Sequence, residues 1–188
     1  MIYTCYIYDG LKDETLKERV IEAYLKQNSI ELGKYEIECE EGGRPYIKSD
    51  KKAPCFNVSD SGNLWMMIIG EERCSIDVEQ LRPTYDYSKI VERHFSENEK
   101  AYVNKYGVDG FYRLWVRREA LQKFIGTGVF GKCPELIDGE GYLVDEFNLI
   151  LNDGSTSKAY IKDVPISDDI FCCYATTGEL DDINFVTI

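Results

Sequence analysis

Asp77 and Glu79 are two carboxylates two residues apart in the apolar, β-branched run Cys74-Ser75-Ile76-Asp77-Val78-Glu79. In a strand, residues i and i+2 point to one face. Two acids on one face repel each other unless something positive sits between them. Glu119 and Lys123 are four apart in Trp115-Val116-Arg117-Arg118-Glu119-Ala120-Leu121-Gln122-Lys123. In a helix that spacing also puts them on one face. Three carboxylates and one ammonium form a set suited to Mg²⁺ and a phosphate ester. Each pair alone says little: exposed strand faces often carry acids, and an i,i+4 Glu/Lys pair contributes only about 0.2–0.5 kcal/mol.

Other groups can join this chemistry. Ser59-Asp60-Ser61-Gly62 follows the strand-like Phe56-Asn57-Val58. It reads either as a polar turn or as a cluster of hydroxyls and backbone N–H groups for a phosphate oxygen. Arg44, between Gly43 and Pro45, is either a surface cation or a guanidinium held for a phosphate by a stiffened turn. His94 is the only histidine and has no motif around it, so Ser-His-Asp and Cys-His catalysis find little support. There is no P-loop and no Gly-x-Gly-x-x-Gly.

The formal charge of −12 argues against a nucleic-acid partner. The charge is uneven. Residues 1–72 hold 9 basic and 14 acidic side chains, net −5; residues 73–132 hold 11 and 8, net +3; residues 133–188 hold 2 and 12, net −10. The one basic window carries the carboxylates and the Glu/Lys pair, which fits a surface that meets phosphates. No run approaches the roughly 18 apolar residues of a membrane span, and the N-terminus lacks a signal-peptide pattern. The 7 cysteines show no CxxC pair and read as free thiols of a reducing, cytoplasmic compartment.

The elements that must position these groups are legible in outline. Residues 2–8 read as a strand. Asp13 or Thr15 caps a helix running to about Gln27, with Leu16, Val20, Ala23 and Tyr24 on one face. Gly42-Gly43-Arg44-Pro45 is a turn. Strands follow near 54–58, 64–69 and 74–79, the last two joined as a hairpin through Gly70-Glu71-Glu72-Arg73. Helices follow near 87–94, 97–105 and 110–124. Ser96 and Glu99 form a capping box before the second of these, and Gly126 and Gly128 end the third. Strands return near 142–150, 158–164, 169–176 and 184–188. This order suggests two α+β halves meeting near residue 72, residues 1–72 and 73–188.

In order and spacing these pieces resemble the 4′-phosphopantetheinyl transferases, specifically the monomeric class of two pseudo-symmetric halves that activates peptide and polyketide synthases. The resembling stretches are Gly43-Arg44-Pro45-Tyr46, Phe56-Asn57-Val58-Ser59-Asp60-Ser61-Gly62 and Ser75-Ile76-Asp77-Val78-Glu79. Ile90-Val91-Glu92-Arg93-His94-Phe95-Ser96-x-x-Glu99 and Phe111-Tyr112-x-Leu114-Trp115-x-x-Arg118-Glu119-Ala120-x-x-Lys123 complete the set. The resemblance implies an α+β fold, each half a small antiparallel sheet packed with helices, with the site where the halves meet.

It also implies roles for residues. Asp77, Glu79 and Glu119 resemble the carboxylates that bind Mg²⁺, with Mn²⁺ as a substitute. Asp77, Glu119 and Lys123 are the implied catalytic residues. Arg44, Pro45, Ser59, Asp60, Arg118 and Lys123 resemble the groups around coenzyme A. The implied reaction moves 4′-phosphopantetheine from coenzyme A to a serine of an acyl or peptidyl carrier protein, releasing 3′,5′-ADP. The chain departs from the family at Asp60, where the family has histidine, and at Arg118, where it has lysine. The alternative implied by the first departure is a non-catalytic protein that binds coenzyme A or a carrier.

Overall fold

The computed structural model describes residues 3–11, 14–128, 131–179 and 183–188. The strands are β1 (Tyr3–Asp9), β2 (Tyr35–Cys39), β3 (Pro45–Ser49), β4 (Cys55–Ser61), β5 (Leu64–Gly70), β6 (Cys74–Gln80), β7 (Glu146–Ile150), β8 (Thr156–Asp163), β9 (Ile170–Thr176) and β10 (Asn184–Thr187). The helices are α1 (Leu16–Gln27), α2 (Ser88–His94) and α3 (Glu97–Ile125). One four-stranded sheet has the order β10-β1-β5-β4, the other β6-β9-β8-β7, and β2-β3 is a separate hairpin. All pairings are antiparallel except β10, which lies parallel to β1. The molecule is α+β, as the order of elements and the resemblance both imply.

β5 explains how the first half closes. Its sequence Leu-Trp-Met-Met-Ile-Ile-Gly is a continuous apolar run rather than an alternating one, the pattern of a strand covered on both faces. Trp65, Met67 and Ile69 pack with Val20, Ile21 and Tyr24 of α1. Met66 and Ile68 face the other way, into a core shared with Ile76 and Val78 of β6 and Cys172 of β9. The neighbouring Cys173 turns into the third core, beneath α3. Period-2 alternation thus sends adjacent cysteines to different cores.

The expected hairpin between residues 64–69 and 74–79 does not form. β5 already has β1 on one edge and β4 on the other, so no edge remains for β6. The four-residue link instead carries the chain into the second sheet, where β6 pairs with β9. The tight hairpin is β4–β5, with Ser61 opposite Leu64 across Gly62-Asn63. Gly62 there has φ +60°, a left-handed backbone that favours glycine. Residues 59–61 are therefore strand rather than turn. The β2–β3 hairpin is an addition to the sequence reading; its signal was the alternation Tyr35-Glu36-Ile37-Glu38, and it flanks the expected Gly42–Pro45 turn.

α3 positions half of the candidate site. Ser96 and Glu99 make the expected capping box: Ser96 Oγ accepts from the Glu99 N–H at 3.2 Å, and Glu99 Oε2 accepts from the Ser96 N–H at 2.8 Å. Such a cap contributes about 1 kcal/mol. Gly107 (φ +64°, ψ −140°) interrupts the helix, which accounts for the break expected between 105 and 110. Gly126, at φ +88°, ends it in the left-handed C-cap. At the start of α1 Thr15 holds the N-cap position, and Asp13 lies outside the described residues.

Candidate functional site

β6 sends its two sets of side chains to different places. Cys74, Ile76 and Val78 enter the shared core. Ser75, Asp77 and Glu79 face the other way; Ser75 Oγ donates to the Ala120 carbonyl of α3 at 2.6 Å. Glu119 and Lys123 lie one turn apart on the same helix. Lys123 Nζ donates to Asp77 Oδ1 at 2.7 Å, to Ser59 Oγ at 2.9 Å and to the Ile76 carbonyl at 3.2 Å. The strand pair and the helix pair, 40 or more residues apart in sequence, are therefore brought together.

The electrostatics follow from burial. Asp77 is 4% exposed and Glu119 is 7% exposed. Burial pushes the Asp77 carboxyl up, opposed by the Lys123 charge and by bonds from Lys123 and Ser59. Glu119 is pushed up to about 7, first by burial, then by the charge of Asp77, with Lys123 pulling it down and Glu79 adding repulsion. Glu79 is raised by burial, while its bond from Ser61 works against the rise. Burial is the first cause of the rise at all three carboxylates, and the charge of a neighbouring carboxylate adds to it at Glu79 and Glu119. Two oxygens of the set, Asp77 Oδ2 and Glu119 Oε1, are buried without a hydrogen-bond partner. Buried, unpartnered carboxylate oxygens are costly unless a cation or donor satisfies them. Among the described residues no three His, Cys, Asp or Glu side chains stand close enough to hold a metal as they are. The unpartnered hard oxygens nonetheless suit a divalent cation by chemistry.

β4 supports this array from the side. β4 and β6 are edge strands of different sheets. Asn57 Oδ1 accepts from the Ile76 N–H at 3.1 Å, Ser59 Oγ from the Val78 N–H at 3.3 Å, and Ser61 Oγ from the Gln80 N–H at 3.0 Å. Side chains at alternate β4 positions thus satisfy alternate N–H groups of β6, as a backbone ladder would. The hydroxyls then donate onward: Ser59 to Asp77 Oδ1 and Ser61 to Glu79 Oε2, each at 2.8 Å. Asp60 lies between them in β4 and is exposed, so it projects from the opposite face of the strand.

Two other candidates are placed elsewhere. Arg44 is 6% exposed; it donates to the Lys123 carbonyl at 3.1 Å and the Cys74 carbonyl at 2.9 Å. It clamps the end of α3 to the start of β6, with Arg73 donating to the adjacent Phe124 carbonyl. Cations at a helix C-terminus meet the negative end of its dipole. Pro45 begins β3 beside this clamp. Arg118 points away from the carboxylates: it donates to Glu99 Oε2 at 2.7 Å and lies over the Phe95 ring.

One feature went unread in the sequence. A cavity of about 190 Å³ opens beside Glu79, lined by Arg82, Tyr85, Ile90, Phe111, Tyr112 and Trp115. Its signal was the aromatic stripe of residues 111–115, which reads equally well as helix core.

Three acids and a lysine, two of the acids buried, are thus gathered between a strand and a helix and braced by a second strand. Residues 73–164, which carry all four groups, match the model of the 4′-phosphopantetheinyl transferase superfamily. The chain is 25% identical over 135 residues to a putative 4′-phosphopantetheinyl transferase of Synechocystis sp., the match covering 68% of this chain and 53% of the relative. It is 32% identical over 108 residues to the 4′-phosphopantetheinyl transferase HetI of Nostoc sp., covering 53% of this chain and 45% of the relative. The chain spans about half the length of these curated relatives.

Proposed function

We propose that this protein transfers 4′-phosphopantetheine from coenzyme A to a serine of an apo acyl or peptidyl carrier protein, releasing 3′,5′-ADP. The observation that supports this most strongly is the Asp77–Lys123 ion pair flanked by Glu79 and Glu119, with two buried oxygens left unpartnered. The site lies where residues 1–72 and 73–188 meet, since Ser59 of the first half bonds Asp77 of the second.

Asp77, Glu79 and Glu119 would hold Mg²⁺, or Mn²⁺ in its place, and the ion would neutralise charge on the diphosphate and orient it. Glu119 Oε1, buried and without a hydrogen-bond partner, accepts the proton of the attacking serine, directly or through one water. The serine oxygen bonds to the β-phosphorus of coenzyme A as the bond to the bridging oxygen breaks. The electron pair leaves on the 5′-phosphate of 3′,5′-ADP. Lys123 Nζ offsets the charge that develops there. The basic window 73–132 suits encounter with an acidic carrier. In the described residues no helix is long and apolar enough to cross a membrane.

The test incubates the protein with an apo carrier protein, coenzyme A and Mg²⁺ and weighs the carrier by mass spectrometry. The expected result is a gain of one phosphopantetheine with wild type and none with Asp77→Ala. Coenzyme A binding without any carrier gain would replace transfer with a binding role.

A further inference from the structure

We propose that Ser61 is a positioning residue for Glu79, holding in place a carboxylate that would bind the cation. The inference rests on the metal reading given above. Ser61 Oγ is itself fixed, because it accepts from the Gln80 N–H and so has its remaining hydrogen to give to Glu79 Oε2. A hydroxyl has one hydrogen and two acceptor sites, so the backbone bond decides the direction of the side-chain bond. Ser61 is buried and Glu79 only half-buried. The more exposed, flexible carboxylate is therefore tied to the rigid partner. A glutamate otherwise loses substantial rotamer freedom on being ordered, and Ser61 does that ordering before any cation arrives.

The three alternate β4 side chains separate this role from simple strand support. Asn57 makes the same kind of bond to a β6 N–H but is bonded there to backbone, not to a carboxylate. Ser59 serves Asp77 and also accepts from Lys123, so it cannot be altered without disturbing the ion pair. Ser61 joins the backbone support to Glu79.

The test titrates Mn²⁺ alone into the full chain and follows free Mn²⁺ by electron paramagnetic resonance. Outer-shell partners of metal ligands are typically worth about 10–100-fold in affinity. Ser61→Ala is expected to weaken Mn²⁺ binding by about 10-fold or more. Ser61→Cys keeps the volume with a poor donor and is expected to show the same loss. Ser61→Thr, which keeps the hydroxyl, is expected to restore binding. Asn57→Ala is expected to lower the unfolding midpoint while leaving Mn²⁺ affinity at the wild-type value. Unchanged affinity in Ser61→Cys and Ser61→Ala, or an equal loss in Asn57→Ala, overturns the positioning role alone. Wild-type protein that takes up no Mn²⁺ overturns the metal reading and this inference with it.

Discussion

Glu119→Gln should make the metal-free protein more stable at alkaline pH while destroying the site. Glu119 is 7% exposed and its carboxyl is pushed from the usual 4.5 up to about 7. The folded protein holds this proton more tightly than the unfolded chain does. Below about pH 4.5 the group is protonated in both states and costs nothing. Between 4.5 and about 7 the unfolded chain releases its proton first, so stability is lost as pH rises through the folded value. Above that range the penalty levels off at about 3 kcal/mol, at about 1.36 kcal/mol per unit. A glutamine carries no charge and escapes the penalty. The stability of the glutamine variant minus that of wild type should therefore grow by about 2 kcal/mol between about pH 5.5 and about pH 8. Starting at 5.5 keeps a chain of net charge −12 away from the acidic range where it approaches neutrality. The assay is urea denaturation followed by tryptophan fluorescence, with EDTA present. The difference cancels the titration of groups that both proteins share. A difference that stays constant over this range would refute the assignment of a buried acid repelled by Asp77.

Three further outcomes are expected. Lys123→Ala should lower transfer at least ~100-fold, measured by carrier mass gain, because it removes the charge facing the departing phosphate; it should also lower the unfolding midpoint by stranding buried Asp77. Asp60→His should leave coenzyme A binding within about fivefold of wild type by calorimetry, since Asp60 is exposed on the strand face opposite Ser59 and Ser61 and an exposed charge is worth about 0–1 kcal/mol; a larger gain would mean that the acid faces the ligand. Gly42→Ala should destabilise the protein, because a Cβ there would overlap the Gly126 carbonyl at the end of α3; an unchanged thermal midpoint would show that the hairpin docks differently.

The sequence by itself determined the local geometry of the site. Asp77 and Glu79 share a face because strands alternate, and Glu119 and Lys123 share one because helices turn in 3.6 residues. The Ser96–Glu99 box and Gly126 marked the ends of α3 for the same reason: a cap is a bargain among residues within one turn of each other. What lies beyond a turn was decided by tertiary structure. No local pattern states that β5 has both edges taken, that β10 returns to lie beside β1, or that β6 therefore pairs with β9. Nor does a pattern show that Arg44 turns inward to two carbonyls, or that Arg118 turns to Glu99. Guanidinium groups look alike in sequence whether they face solvent or a helix end. The raised Glu119 carboxyl is the clearest case, because its cause is burial beside Asp77 and Glu79, and burial exists only once the strand and the helix have packed.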